Sequence, residues 1–80
     1  MYLCLCSKDY SSRKGFENTV LGQAVCFDGC GSIKAAAIYR MSKSRYRVYA
    51  ILDGNGFRNV LCNGIGAALD YLQELYNRFG

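Results

Sequence analysis

The sequence predicts one α+β domain, in which a small antiparallel sheet of three to five strands carries a C-terminal amphipathic helix on one face. Two observations support this prediction. Apolar residues recur at helical spacing near the C-terminus, and they alternate with other residues in three short runs before it. The chain has 80 residues, no proline and no Gly/Ser-rich interior stretch, so residues 1–80 are expected to form a single domain.

The C-terminal helix has the clearest signal. Its apolar stripe advances by four, three, four and three residues, through Ile65, Leu69, Leu72, Tyr76 and Phe79. This spacing places the stripe on one face of a helix, and polar residues occupy the other side. We expect Asn63 to cap the N-terminus of this helix and Gly80 to follow its last turn.

Three alternating runs before the helix predict consecutive antiparallel strands at residues 33–41, 45–52 and 57–62. A short polar turn at residues 42–44 separates the first two. The turn at residues 53–56 is rich in glycine and asparagine, which tolerate positive φ. We expect the helix to cover the sheet face that carries Tyr46, Val48, Ala50 and Leu52.

The first third of the chain is ambiguous. Residues 1–7 are predicted to form a strand, residues 8–14 a polar loop, and residues 28–31 a turn. Residues 16–27 fit a helix with an apolar stripe, and residues 19–27, with Gly22 inside, also fit a bulged strand. Their β-branched and aromatic residues favour the strand.

The residue types argue against catalysis and against metal binding. The chain has no histidine, which is the commonest general base and a common metal ligand. It has no phosphate-binding loop and no nucleophile elbow, so we expect neither an enzyme nor a bound cofactor. Four of the five cysteines could supply thiolates for zinc: Cys4, Cys6, Cys26 and Cys30. Their spacing lacks the usual two-residue knuckle, so we expect no metal.

The same features bear on the compartment. No apolar run approaches the roughly 20 residues that a membrane span needs. The apolar start, residues 1–6, is too short for a signal-peptide core and lacks a basic beginning. An odd number of cysteines also argues against a secreted disulfide scaffold. We therefore expect a cytoplasmic protein that does not enter a membrane.

Positive charge is concentrated in the middle of the chain. The net charge of the whole chain is +4, whereas residues 34–58 hold six cations against Asp53 alone. Alternation predicts that the sheet face opposite the helix carries Lys34, Arg40, Arg45, Arg47 and Tyr49. The predicted partner-binding residues are Lys34, Arg40, Lys43, Arg45, Arg47, Tyr49 and Arg58.

Such a surface suits several roles. Arginine can bind phosphate or carboxylate bidentately, tyrosine can stack on an unpaired base, and both are favoured at protein interfaces. We expect a larger protein or nucleoprotein as partner, with direct nucleic-acid binding as the alternative. Exposed cations on a strand can also serve only to keep a sheet soluble and to deter edge pairing. The chain is expected to be a monomer, or a homodimer that pairs an exposed edge strand or buries part of the helix.

The size and layout of the chain resemble a known group of proteins. A small proline-free chain with a strand meander and a closing helix, here beginning NGIGAALDYL at residues 63–72, looks like small phage-encoded inhibitors, anti-CRISPR proteins among them. The resemblance covers size, layout and the start of the helix. It implies a non-catalytic blocker that binds a host effector or masks the nucleic-acid site of that effector.

Overall fold

The computed structural model describes residues 3–6, 16 and 18–80, with residues 3–6 and 55 described by their backbone alone. It confirms the predicted α+β class: five strands form one sheet, and a helix follows the last strand. The elements are β1 Leu3–Cys6, β2 Gln23–Cys30, β3 Ile33–Arg40, β4 Arg45–Leu52, β5 Phe57–Asn63 and α1 Ile65–Phe79. A short 3-10 turn, Asp53–Asn55, joins β4 to β5.

The strands lie in the sheet in the same order as in the chain. β2, β3, β4 and β5 form an antiparallel meander, and β1 pairs with β2 in parallel at one edge. The prediction of a strand near the N-terminus is therefore confirmed at Leu3–Cys6. The polar loop predicted at residues 8–14 lies outside the described residues.

The ambiguous segment becomes a strand only in its second half. β2 begins at Gln23, and Gly22 lies in the turn before it with a φ of 85°. The turn predicted at residues 28–31 is wrong, because β2 continues to Cys30, which pairs with Ile33. The turn begins instead at Gly31, where φ is 58° and an added Cβ would lie 2.6 Å from the backbone of Gly80. Glycine is therefore required where the end of the helix packs on this turn.

The helix begins one residue later than predicted. Asn63 ends β5 as the Cα partner of Arg45, so the prediction of Asn63 as N-cap is wrong and Gly64 takes that position. At the other end Gly80 follows the last turn as predicted, and its N–H donates to the carbonyl of Tyr76 at 2.9 Å. Ser32 N–H donates to the carbonyl of Phe79 at 2.8 Å, and this hydrogen bond joins the end of the helix to the β2–β3 turn.

The core lies between α1 and one face of the sheet. The helix contributes Ile65, Ala68, Leu72 and Leu75, all buried. The sheet face beneath it includes Tyr46, Val48, Ala50 and Leu52, as predicted. Phe16 and Phe27 extend this core with stacked rings whose centroids are 5.9 Å apart. Among the described residues, no helix is long and apolar enough to cross a membrane.

Candidate functional site

The sheet face turned away from α1 is the candidate site. Residues directly paired in antiparallel strands share a face, and successive residues alternate between faces. The pairs Tyr39 with Arg47 and Tyr49 with Asn59 therefore define one continuous surface across β3, β4 and β5. We call this surface the open face; its members are Ala35, Ala37, Tyr39, Arg45, Arg47, Tyr49, Ile51, Phe57, Asn59, Leu61 and Asn63.

Arg45 and Arg47 supply the positive charge of the open face. Arg45 is exposed, and its guanidinium makes no hydrogen bond or ion pair with another described residue. Arg47 is half-buried, and its Nη1 donates to Asn59 Oδ1 at 2.8 Å while its Nε donates to Met41 Sδ at 3.3 Å. A guanidinium has five N–H donors, so Arg47 is held in place and still has donors for a bound group.

Large apolar side chains share the open face or its border with these arginines. Ile51 is 49% exposed, Phe57 53%, Leu61 43% and Met41, just beyond the end of β3, 43%. The ring of Tyr49 lies at 48° to that of Phe57, with centroids 6.4 Å apart. Exposed apolar residues that cluster in this way mark interaction surfaces more often than isolated ones do.

A shallow groove of about 220 Å³ lies in the open face above β3. Its floor includes Ala35 and Ala37, Tyr49 and Ile51 line it on β4, and Cys26 lines it on β2. The groove exists because two small residues of β3 lie between larger side chains of the neighbouring strands. An apolar floor beside an aromatic ring fits an apolar side chain of a partner.

Arg40 lies on the other face, so the prediction that grouped it with Arg45 and Arg47 is wrong. Arg40 pairs with Tyr46, which is buried beneath the helix. Its Nη1 donates to the carbonyl of Thr19, and its own carbonyl accepts from Gly22 N–H at 3.0 Å. Both contacts hold the turn that precedes β2, which is a structural role.

Arg58, also in the predicted partner-binding set, lies on the helix-covered side of the sheet, away from Arg45 and Arg47. It is the Cα partner of Ala50, a core residue. Its guanidinium lies 5.5 Å from the centroid of the Phe79 ring, which is the geometry of a cation–π contact. Its Nη1 also donates to the carbonyl of Phe57 at 3.1 Å.

Lys34 lies where the β3–β4 register shifts, between Ile33 and Ala35. It is exposed, but this irregularity interrupts the alternation that had placed it on the same face as Arg45. The open face therefore brings together Arg45, Arg47 and Tyr49 from the predicted set. Lys43 is exposed in the adjoining β3–β4 turn.

Sequence reasoning followed charge and missed the apolar members of the site: Ile51, Phe57 and Leu61. A signal for them was present, because Phe57 and Leu61 fall on the opposite parity to Cys62 within the same strand. If Cys62 is placed in the core, then Phe57 and Leu61 must lie on the opposite, outward side of the strand. The face predicted as mainly basic is thus a mixed surface of arginine, tyrosine and exposed aliphatic groups.

The cysteines take different states. Cys26 is disulfide-bonded, so it offers no thiolate to the zinc set considered from the sequence. Cys30 is an exposed thiol, and burial raises the pKa of the Cys62 thiol, which keeps it protonated. Across the described residues, no cluster of three or more His, Cys, Asp or Glu side chains could hold a metal ion.

The disulfide at Cys26 was not expected from the sequence. Its strand, β2, pairs in parallel with β1, and the register makes Cys6 the Cα partner of Cys26. Parallel pairing joins segments that are distant in the chain, so no local pattern predicts it.

Tyr76 connects the helix to β2. Its hydroxyl donates to the carbonyl of Asp28 at 2.6 Å. Partial burial raises the pKa of Tyr76, and the neighbouring Cys30 and Asp28 raise it further. The hydroxyl is therefore a stable donor at neutral pH, and it helps to hold α1 against the sheet side opposite the open face.

No protein-family model matches this chain, and neither a curated protein nor a solved structure shows significant similarity to it.

Proposed function

We propose that this protein is a non-catalytic binding module that docks on a larger host protein or nucleoprotein through its open face and blocks that partner, in the manner of a phage-type inhibitor of the anti-CRISPR kind. The open face itself is the observation that carries this proposal. Arg45 and Arg47 share that face with exposed Ile51, Phe57 and Leu61. Aromatic residues and arginine are the residues enriched in the cores of protein interfaces.

The geometry favours a partner surface that combines acidic and apolar groups. Arg47 is already oriented by Asn59 and Met41, so it loses less side-chain freedom on contact than a solvated arginine would. Its remaining donors and those of Arg45 suit a carboxylate. The groove over Ala37 suits an apolar side chain inserted beside those contacts.

Direct nucleic-acid binding is the second candidate, supported by Lys43, Arg45 and Tyr49, which can contact phosphate and stack on a base. The open face carries fewer cations than the sequence predicts, because Arg40 and Arg58 lie on the helix-covered side. Its exposed aliphatic groups add nothing to phosphate binding. The composition of the face therefore favours a protein surface as the partner.

Such an inhibitor would act in the cytoplasm of the host cell. Disulfides are rare in that compartment, so the fold must persist there with Cys26 reduced. Cys26 lies on the open-face side of β2 and outside the apolar cluster packed beneath α1. Reduction would therefore leave the main core intact.

Reversing both arginine charges tests the proposal. We expect Arg45→Glu with Arg47→Glu to abolish capture of the partner from host-cell lysate at physiological salt. Interface arginines at hot spots contribute about 2 kcal/mol or more, a loss of roughly 30-fold in affinity. Capture is quantified by mass spectrometry on the immobilised protein, and circular dichroism checks that the variant is folded.

A matched variant controls for net charge. Arg78→Glu with Gln73→Glu and Asn77→Glu makes the same change in net charge at exposed sites on α1, away from the open face, and we expect it to capture the partner normally. Equal capture by wild type and the Arg45/Arg47 variant would reject the open face as the binding site. Anisotropy titrations with labelled DNA and RNA at rising salt test direct nucleic-acid binding, because the affinity for phosphate groups falls steeply with salt.

A further inference from the structure

The outer edge of β5 carries backbone groups that no described residue pairs with as a strand. Leu52 N–H donates to the carbonyl of Gly56 at one end of the β4–β5 pairing, and Gly64 N–H donates to that of Ser44 at the other. Hydrogen-bonded and non-hydrogen-bonded pairs alternate along an antiparallel ladder. Backbone N–H and C=O groups therefore point away from β4 at Phe57, Asn59, Leu61 and Asn63.

β5 lacks the usual features that protect a free edge. It pairs with β4 over 7 residues without a register shift, and it contains no proline. Its one charged residue, Arg58, points to the helix-covered side, where it lies over Phe79 and reaches the edge only through its hydrogen bond to the carbonyl of Phe57. Charged side chains, prolines and bulges are the devices that commonly stop such an edge from pairing.

The open-face side chains of β5 form a self-complementary pattern. Phe57 and Leu61 are exposed and apolar, and Asn59 lies midway between them. An antiparallel copy centred on Asn59 would set Phe57 opposite Leu61 of the second copy on both sides of the centre. Each of these pairs falls on outward-pointing backbone groups, so each would exchange two hydrogen bonds. Apolar cross-strand pairs add to that stability.

We propose that a second copy of this chain occupies the β5 edge, paired antiparallel about a twofold axis at Asn59. Twofold dimers are the commonest closed assemblies, and they require a patch that complements itself, as this one does. The contact between Arg58 Nη1 and the carbonyl of Phe57 does not block the pairing, because a carbonyl oxygen accepts two hydrogen bonds.

The dimer would join two sheets into one, with both helices on one side and both open faces on the other. The contact between Tyr49 and Phe57 would then continue into Leu61 of the second copy. A strand pair alone buries less surface than the roughly 1,200 Å² of a stable interface, so we expect a weak, concentration-dependent dimer. This pairing does not depend on the identity of the open-face partner.

Sedimentation velocity from about 10 µM to about 1 mM tests the proposal, with wild type expected to shift from monomer to dimer over that range. Leu61→Lys should raise the dimer dissociation constant about tenfold or more, because each copy places the new charge against Phe57 of the other. Ile51→Lys makes the same change at an equally exposed open-face site on β4, away from the edge, and should dimerise like wild type.

Amide hydrogen exchange gives a second readout. Rising concentration should slow exchange at Asn59 and Leu61, whose N–H groups point outward, and leave Val60 unchanged because its N–H already bonds β4. A wild-type chain that stays monomeric throughout would overturn the proposal. An equal loss of dimer in the Leu61→Lys and Ile51→Lys variants would also overturn it and would indicate that the dimer stacks its open faces. The same conclusion against the β5 edge would follow if neither variant lost dimer.

Discussion

Replacing Ile38 with alanine is expected to lower the free energy of unfolding by about 2–5 kcal/mol, as for other buried aliphatic residues cut back to alanine. Ile38 is 1% exposed and lies between its register partners Val25 and Val48, which are both fully buried. The substitution removes methyl and methylene groups from the middle of the row beneath α1 and leaves a cavity there. Urea denaturation with linear extrapolation measures the loss.

Ile51→Ala is the matched control for Ile38→Ala. It removes the same atoms from the next strand, but Ile51 lies on the open face and is 49% exposed. We expect its effect on the free energy of unfolding to stay within about 0.5–1 kcal/mol. An equal loss of unfolding free energy in the two variants would mean that the buried faces of β3 and β4 are assigned incorrectly. The placement of Arg40 on the helix-covered face would then be wrong as well.

Ala37→Phe is expected to reduce affinity for the captured partner about tenfold or more while the protein stays folded. Ala37 is half-buried on the floor of the groove, where a phenyl ring would fill the space beside Tyr49 that a partner side chain needs. A tenfold loss of affinity corresponds to about 1.4 kcal/mol of binding free energy, which is the size of one good interface contact. Surface plasmon resonance with the purified partner measures the change.

The neighbouring alanine supplies the control. Ala36 is 5% exposed and lies on the helix-covered face, where its register partner Ala50 is fully buried. Ala36→Phe should destabilise the fold by about 1–3 kcal/mol or more, because an overpacked core must shift to admit the ring. Normal partner affinity in Ala37→Phe would show that the groove is not part of the contact.

The elements that were predicted well are those with a strong local signal. Each of two patterns marks one apolar side: the helix stripe from Ile65 to Phe79 and the alternation in β4. Both the type of element and its buried face could therefore be predicted from the same residues. β2 gave no such signal. Phe27 fits a helix stripe as well as a strand, residue type favours the strand only weakly, and pairing with β3 decides between them.

The candidate site was predicted in part, because alternation within a strand does not say which side is buried. In β3 the sides of Ala37 and Ile38 are both apolar, and Arg40 falls on the side that the helix covers. Register with β4 settles the matter, since Arg40 lies opposite Tyr46. Register depends on contacts between strands, so alternation alone placed Arg40 on the wrong face.

The composition of the open face follows from the same correction. Since Arg40 and Arg58 lie on the other face, Arg45 and Arg47 share the open face with Ile51, Phe57 and Leu61. A surface with few cations and several exposed apolar groups fits the contact chemistry of proteins better than that of phosphate chains. Strand register therefore adds support to the preference for a protein partner over nucleic acid.

Methyl NMR of the complex with the captured partner tests the central claim most directly. Ala37 and Ala67 carry the same methyl group, the first on the open face and the second exposed on the helix. Cross-saturation from the partner is predicted to reach the methyl groups of Ala37, Ile51 and Leu61 and to leave that of Ala67 unaffected. Saturation of Ala67 with none at Ile51 would place the partner on the helix and contradict the account.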